Sequence, residues 1–301
     1  MAKIKSTNGT YPVPTPVSRP VGIIFFIVIH AIGIFGTPWY LWKYGATTAE
    51  WVLFWTWFIC TSMAITVGYH RLFAHTTYKT HPVMRFLLLF FGAATFEQSA
   101  LKWSSQHRQH HQFTDTDKDP YNINNGFWYA HMGWILFFKH RVNYDNVPDL
   151  KQCKLVMSQH FWYSLWSVGA GIVIPMAIGF LIGRPLGVFI MTICLRMILV
   201  MHSAFFINSY AHMFGSRGFE GKISARDHWL GAILTNGEGY HNFHHKFPGD
   251  YRNGIRWFHW DPSKWMIFVL SKCGVTWDLK RTPQKLIDAA RAHEAHLSAS
   301  R

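Results

Sequence analysis

Three histidine clusters hold most of the chemistry this sequence can perform. His70 and His75 stand five positions apart, directly after a long apolar run. His107, His110 and His111 form an HxxHH string, and His241, His244 and His245 form a second one. On a helix, residues four apart share a face. In HxxHH the first and last imidazoles therefore point together, while the middle one is turned by about 100° from the last, following the helical period. One such string can feed two metal ions lying close together. Eight imidazoles exceed what one ion takes and suit two. Imidazole serves iron, zinc, copper and nickel, but the HExxH frame in which zinc hydrolases carry their general base does not occur. An all-imidazole pair of sites fits redox iron best. The other histidines (His30, His81, His131, His140, His160, His202, His228, His259, His293 and His296) are read as surface side chains with no metal role.

The elements that must position these clusters lie in a bilayer. Hydrophobic residues make up 50% of the 301-residue chain and aromatics 17%. They gather into runs rather than spreading evenly. A helix needs about 20 apolar residues to cross a bilayer, and the runs at 21–42, 51–68, 163–183 and 186–207 meet that length. The run at 84–95 is too short and reads as interfacial or re-entrant. The connectors after the first and third runs are very short, so the spans come as two hairpins. Of 29 Lys and Arg residues, only Lys43, Arg184 and Arg196 fall in those connectors or in the fourth run. The remaining basic segments share one side, which the positive-inside rule makes the cytoplasm. Trp39, Trp42, Trp51, Trp162 and Trp166 sit near span ends, as interfacial aromatics do. All three histidine clusters fall on the cytoplasmic side of this topology. The net charge of +14 follows from basic flanks facing an anionic leaflet, so no nucleic-acid partner is expected. Cys60, Cys153, Cys194 and Cys273 form no CxxC pair, which indicates neither a disulfide framework nor a zinc ribbon.

The expected fold is an all-α membrane protein. Four transmembrane helices form two hairpins with an added interfacial helix, and a cytoplasmic helical cap carries the histidine site. One domain covers 1–301, with a flexible, proline-rich segment at 1–20 and a soluble amphipathic tail at 281–301.

The histidine strings and their surroundings resemble the membrane fatty acyl desaturases, in particular the stearoyl-CoA (Δ9) desaturase family. The resemblance runs from about residue 67 to 265. It rests on GYHRLFAHTTYK, LKWSSQHRQHHQFTDTDKDPYN, NSYAHMFG and NGEGYHNFHHKFPGDYRNG, and the stretch FPGDYRNGIRWFHWDPSKW is similar to bacterial members. It implies an oxygen-dependent enzyme that uses two ferrous ions and O₂ to place a cis double bond, Δ9 by analogy, in a long saturated acyl chain. The family has a ninth histidine in an N-x₃-H pair, matched by His212, with Asn208 holding a water beside the metal. The resemblance assigns His70, His75, His107, His111 and His244 to one iron and His110, His212, His241 and His245 to the other. Asp115, Asp119 and Glu238 are the acids expected to orient imidazoles through their free N–H groups.

The head-group is read differently from the animal acyl-CoA enzymes. Gln98 stands for an Asn, Ser105 and Gln106 for an Arg-Asp pair, Phe138 for an Arg, and Phe205 for a Trp, while Trp103 and Lys139 are kept. Acyl-CoA, acyl-lipid and acyl carrier protein all stay open as carriers, and a membrane hydroxylase would share the histidine strings. Within the 301 residues there is no HPGG haem motif. Electrons are expected from a separate ferredoxin or cytochrome b5 with its reductase. The setting is a lipid bilayer, with termini and site cytoplasmic, in a bacterial inner membrane. Chain length is expected to be set on the second span, where Ser62 and Phe58 lie 8 and 12 residues before His70, about 12 and 18 Å at the helical rise.

Overall fold

The computed structural model describes residues 14–300. Four helices are long and apolar enough to cross a membrane: Pro20–Tyr44, Thr48–Ala74, Tyr163–Leu181 and Pro185–Met213, here spans 1 to 4. Spans 2 and 4 are the most buried, and spans 1 and 3 flank them. The two hairpin ends are locked together on the side away from the histidines. A capping box between Thr47 and Glu50 starts span 2, and the same Glu50 carboxylate accepts from Tyr40 Oη at 2.6 Å and from Arg184 Nε at 3.0 Å. Gly187 must be glycine there, because a Cβ would meet both Glu50 and Tyr40.

The short apolar run forms the helix Pro82–Ala93. It ends beside Arg196, the basic residue inside span 4. The Arg196 side chain is fully buried and donates to three carbonyls: Ala94 at 2.6 Å, Thr192 at 3.0 Å and Gly171 at 3.4 Å. A helix end leaves carbonyls without partners, and in a bilayer such groups need protein donors. Arg196 supplies them, which lets the short helix stop where it does.

Span 2 extends past the expected boundary because it changes register. Residues Ala64–Ala74 form a π-helix, every residue of it buried, and His75 N–H donates to the His70 carbonyl at 3.0 Å. The i→i+5 pattern puts residues five apart on one face. That explains the His70–His75 spacing, which an α-helix would splay apart.

The helix Ala100–Phe113 carries the second cluster and His241–Lys246 the third. The described parts of both terminal segments are held by contacts with the rest of the protein. Residues 1–13 of the flexible segment lie outside the described residues, but Thr15–Pro16 already pairs antiparallel with Phe138–Lys139. The tail is a helix, Gln284–Ala299, that docks rather than hangs free. Ile287 is buried in a cluster with Phe219 and Phe243, and Glu294 accepts from Gly221 N–H at 2.9 Å.

Candidate dimetal centre

The clusters converge into two sets of imidazoles. His70, His75, His107, His111 and His244 form one, and His110, His212, His241 and His245 the other; in each, one ring nitrogen per residue lies within 4.8 Å of all the rest. The helical argument accounts for the sorting: His107 and His111 turn to the first set and His110 to the second. His241 and His245 likewise share a set, with His244 in the other.

Either set could hold a metal ion, and the donor chemistry fits. Nε2–Nε2 separations are 2.9 Å for His70–His244, 2.8 Å for His75–His107, 3.0 Å for His111–His244 and 3.1 Å for His241–His245. Such spacings match the edges of a coordination shell with metal–nitrogen bonds of about 2.1 Å. The Nδ1 atoms of three rings face elsewhere. His70 Nδ1 lies 2.8 Å from Glu238 Oε2, and His110 Nδ1 lies 2.8 Å from Asp119 Oδ1. His212 Nδ1 lies 2.6 Å from Ser224 Oγ. Ser224 gives its own proton to Asp115, so His212 must donate from Nδ1. Its Nε2 is buried and has no hydrogen-bond partner among the described residues, as a waiting ligand atom would be. Burial first, and neighbouring imidazoles second, hold His75, His107, His111, His241, His244 and His245 well below the ordinary histidine value. They are neutral near pH 7, the form that binds metal.

Asp119 and Glu238 therefore face histidines directly, whereas Asp115 reaches His212 only through Ser224. Several supporting residues escaped the sequence reading. Arg71 is fully buried and donates to Glu238 Oε1 at 3.0 Å and to Asp261 Oδ1 at 2.9 Å. Asp261 is held in turn by the N–H groups of Asn253, Gly254 and Lys264. Asp227 accepts from the N–H groups of Asn242 and Phe243 at the start of the third cluster's helix; burial pushes its carboxyl up to about 7. The only sequence signal for Arg71 was a cation beside His70 at the end of a span.

A narrow apolar cavity abuts the histidines. Its wall includes His70, His107, Trp103, Phe205 and Asn208. It continues into a second cavity that shares Ile65, Thr66, Ala204 and Ile207 with it and reaches Ser62 and Val200. The channel thus runs between spans 2 and 4. The helix Pro82–Ala93 contributes no residue to either cavity. Trp103 stacks on His107 with ring centroids 4.8 Å apart. Phe58 is absent from both walls and stacks on Phe54 of its own helix at 6.1 Å. Lys139 is exposed on the strand paired with Thr15. Gln98 lines a small polar recess with Arg19, Lys102 and His140, which joins the apolar cavity at Gln106, Trp134 and Ile135. On the other side, His75 and His111 face an open recess of about 750 Å³.

The pattern of the fatty acid desaturases matches residues 49–267, more than half of the chain and all three clusters. The chain belongs to the fatty acid desaturase family. It is similar to a probable acyl-CoA desaturase of Schizosaccharomyces pombe, 39% identical over 269 residues, covering 88% of this chain and 55% of that protein. Acyl-CoA desaturase 1 of Saccharomyces cerevisiae is 40% identical over 232 residues, covering 76% and 45%. Stearoyl-CoA desaturase 5 of Homo sapiens is 32% identical over 249 residues, covering 80% and 76%. The chain spans about half the length of the two yeast relatives. These relatives are eukaryotic, so they lend nothing to the bacterial reading of the C-terminal motif.

Proposed function

We propose that this desaturase-family chain introduces a cis double bond, at Δ9 by analogy, into a long saturated acyl chain. The observation that carries the reading is the junction of two buried histidine sets with an apolar channel between spans 2 and 4. Two iron ions, when bound, would supply the redox chemistry by which O₂, two electrons and two protons take up two hydrogens as water. His70, His75, His107, His111 and His244 would hold one ion, and His110, His212, His241 and His245 the other. Asn208, on the channel wall, would place a water beside the second.

The chain's own residues do the positioning. A saturated chain offers no group for acid–base catalysis, so the protein must hold it bent beside the site and keep water away. Ile65, Ala204, Phe205 and Ile207 form that dry wall. Glu238 and Asp119 fix the tautomers of His70 and His110 by accepting from Nδ1, which leaves Nε2 free. The relatives' names favour acyl-CoA as the carrier. The polar recess at Arg19, Lys102 and His140, which shares Gln106, Trp134 and Ile135 with the apolar cavity, supports an anionic head-group. Electrons would come from a separate ferredoxin- or cytochrome-b5-type carrier, drawn to the basic face. The basic flanks support a cytoplasmic side for the termini and the site.

The test is lipid analysis by mass spectrometry after expression in a host without an oxygen-dependent desaturase. New monounsaturated chains, dependent on O₂ and iron, are expected. A hydroxylated product, or none with full metal content, would overturn the reading.

A further inference from the structure

A second group of histidines lies beside the channel, outside the metal sets. The sequence reading took His30, His131 and His202 for surface residues. His131 is buried and the other two are half-buried. They form one continuous hydrogen-bonded chain. His30 Nδ1 lies 2.7 Å from the Phe26 carbonyl, and His30 Nε2 lies 2.9 Å from His202 Nε2. His202 Nδ1 lies 2.9 Å from His131 Nε2, and His131 Nδ1 lies 2.9 Å from Ser209 Oγ.

The direction of the chain follows from one end. A carbonyl only accepts, so His30 must carry its proton on Nδ1. A neutral imidazole has one N–H and one acceptor nitrogen, so His30 Nε2 accepts from His202 Nε2–H. His202 Nδ1 then accepts from His131 Nε2–H, and His131 Nδ1 accepts from the Ser209 hydroxyl, whose single proton is turned to the ring rather than to the Phe205 carbonyl 3.0 Å away. Every ring uses its one donor and its one acceptor. Burial lowers His131 to about 4, in keeping with a neutral imidazole at that position. A proton relay is a poor reading, because the far end is a backbone carbonyl inside span 1, which has no proton to pass on.

The chain instead ties span 4 and the segment around His131, which both line the channel, to span 1, and closes back on span 4 at Ser209. It starts on span 1, crosses span 4 and passes to the segment around His131, whose neighbours Trp134 and Ile135 line the cavity. The His131 ring packs on Phe205 with centroids 5.6 Å apart, and His202 packs on the same ring at 6.0 Å. Phe205 lines the cavity that also contains His70 and His107. Ser209 adjoins Asn208 on the same wall.

We propose that His30, His202 and His131 are positioning residues that fix Phe205 against the acyl chain, and so decide which carbon–carbon bond faces the metal sets. The proposal rests on the desaturase reading for its product outcome, and on the tautomer order for an outcome independent of it.

The test compares wild type, His202→Leu and His202→Asn in the desaturase-deficient host. Double-bond position is read by mass spectrometry, with metal content and protein level measured in parallel. Leucine offers neither role in the chain, whereas the asparagine amide can accept from His131 and donate to His30. With normal metal content, His202→Leu is expected to raise the share of misplaced double bonds about tenfold, the factor that ~1.4 kcal/mol produces, and His202→Asn to restore the wild-type position. An unchanged isomer ratio in His202→Leu overturns the proposal. If His202→Leu makes no product, His202→Asn decides, since failure of rescue also overturns it. Nitrogen-15 NMR of labelled histidines provides the second measurement. Nδ1–H on His30 with Nε2–H on His202 and His131 is expected, and another order overturns the proposal. A wild type that forms no double bond would refute the desaturase reading instead, leaving the chain to be judged by the NMR result.

Discussion

Glu238 Oε2 lies 2.8 Å from His70 Nδ1, with both side chains shut off from solvent. Its other oxygen is held by Arg71, the residue after that histidine. Burial alone would push the Glu238 carboxyl up, but Arg71 and His70 beside it hold it below the usual glutamate value. One acid thus accepts from the imidazole and answers the neighbouring cation.

Glu238→Gln removes the charge while keeping the shape. Outer partners of metal-bound histidines are typically worth about 10–100-fold in metal affinity. The variant is therefore expected to lose metal from the five-histidine set during dialysis that leaves wild type loaded. Elemental analysis before and after dialysis checks this. Equal retention in both proteins would remove the orienting role.

Ser224→Ala tests the indirect partner of His212. The hydroxyl lies between Asp115 and His212 Nδ1, so its loss leaves a buried imidazole N–H without an acceptor. Metal content is expected to fall from near two per chain toward one under mild chelation, the four-histidine set emptying first. Ser224→Thr keeps the hydroxyl and is expected to retain both ions. A Ser224→Ala protein that kept two ions would show that Asp115 does not act on His212.

The parts legible in the sequence are those set by local pattern. Apolar run length marks the four spans, and α-helical spacing sorts His107, His110 and His111. The π-turn at His70–His75 has no such mark, because span 2 changes register as it packs against Ala100–Phe113 and Pro82–Ala93. Ser224, Asp261 and Asn253 are ordinary polar residues in loops, and only long-range folding brings them to the site. Phe58 shows the opposite failure. Counting turns gave its depth along span 2 but not the face it occupies, and the π-helix at Ala64–Ala74 breaks the assumption of an unbroken α-helix on which the counting rested.

Glu97 lines the channel, and burial pushes its carboxyl up to about 8, with a Trp103 hydrogen bond drawing it partly back. The folded value exceeds the unfolded one of roughly 4.3. Folding thus retains a proton that the unfolded chain gives up. The stabilisation is full below about pH 4 and is lost as pH rises through about 8, at a slope of at most ~1.4 kcal/mol per pH unit. Glu97→Gln mimics the neutral acid and is expected to flatten this contribution. Thermal unfolding in detergent at several pH values between 5 and 8.5 measures the difference, and parallel profiles for the two proteins would count against a protonated Glu97.

Ser62 is the residue through which chain length is best tested. It is buried on the wall of the inner cavity with Val200, and the shared residues Ile65, Thr66, Ala204 and Ile207 lead from there back to His70. The acyl segment beyond the new double bond would run along this path. A phenyl ring in place of the hydroxymethyl group fills the narrow space, so Ser62→Phe is expected to shift the preferred substrate to shorter chains or to block long ones. Phe58→Ala serves as the comparison. Its ring stacks on Phe54 within the same helix rather than on the cavity wall, so the chain-length profile should stay near wild type, in place of the longer preference expected from position along the helix alone. Products from an equal mixture of saturated acyl chains, measured by mass spectrometry at matched protein and metal content, separate the two variants. A longer preferred chain in Phe58→Ala with no change in Ser62→Phe would move the channel's inner end to the other face of span 2.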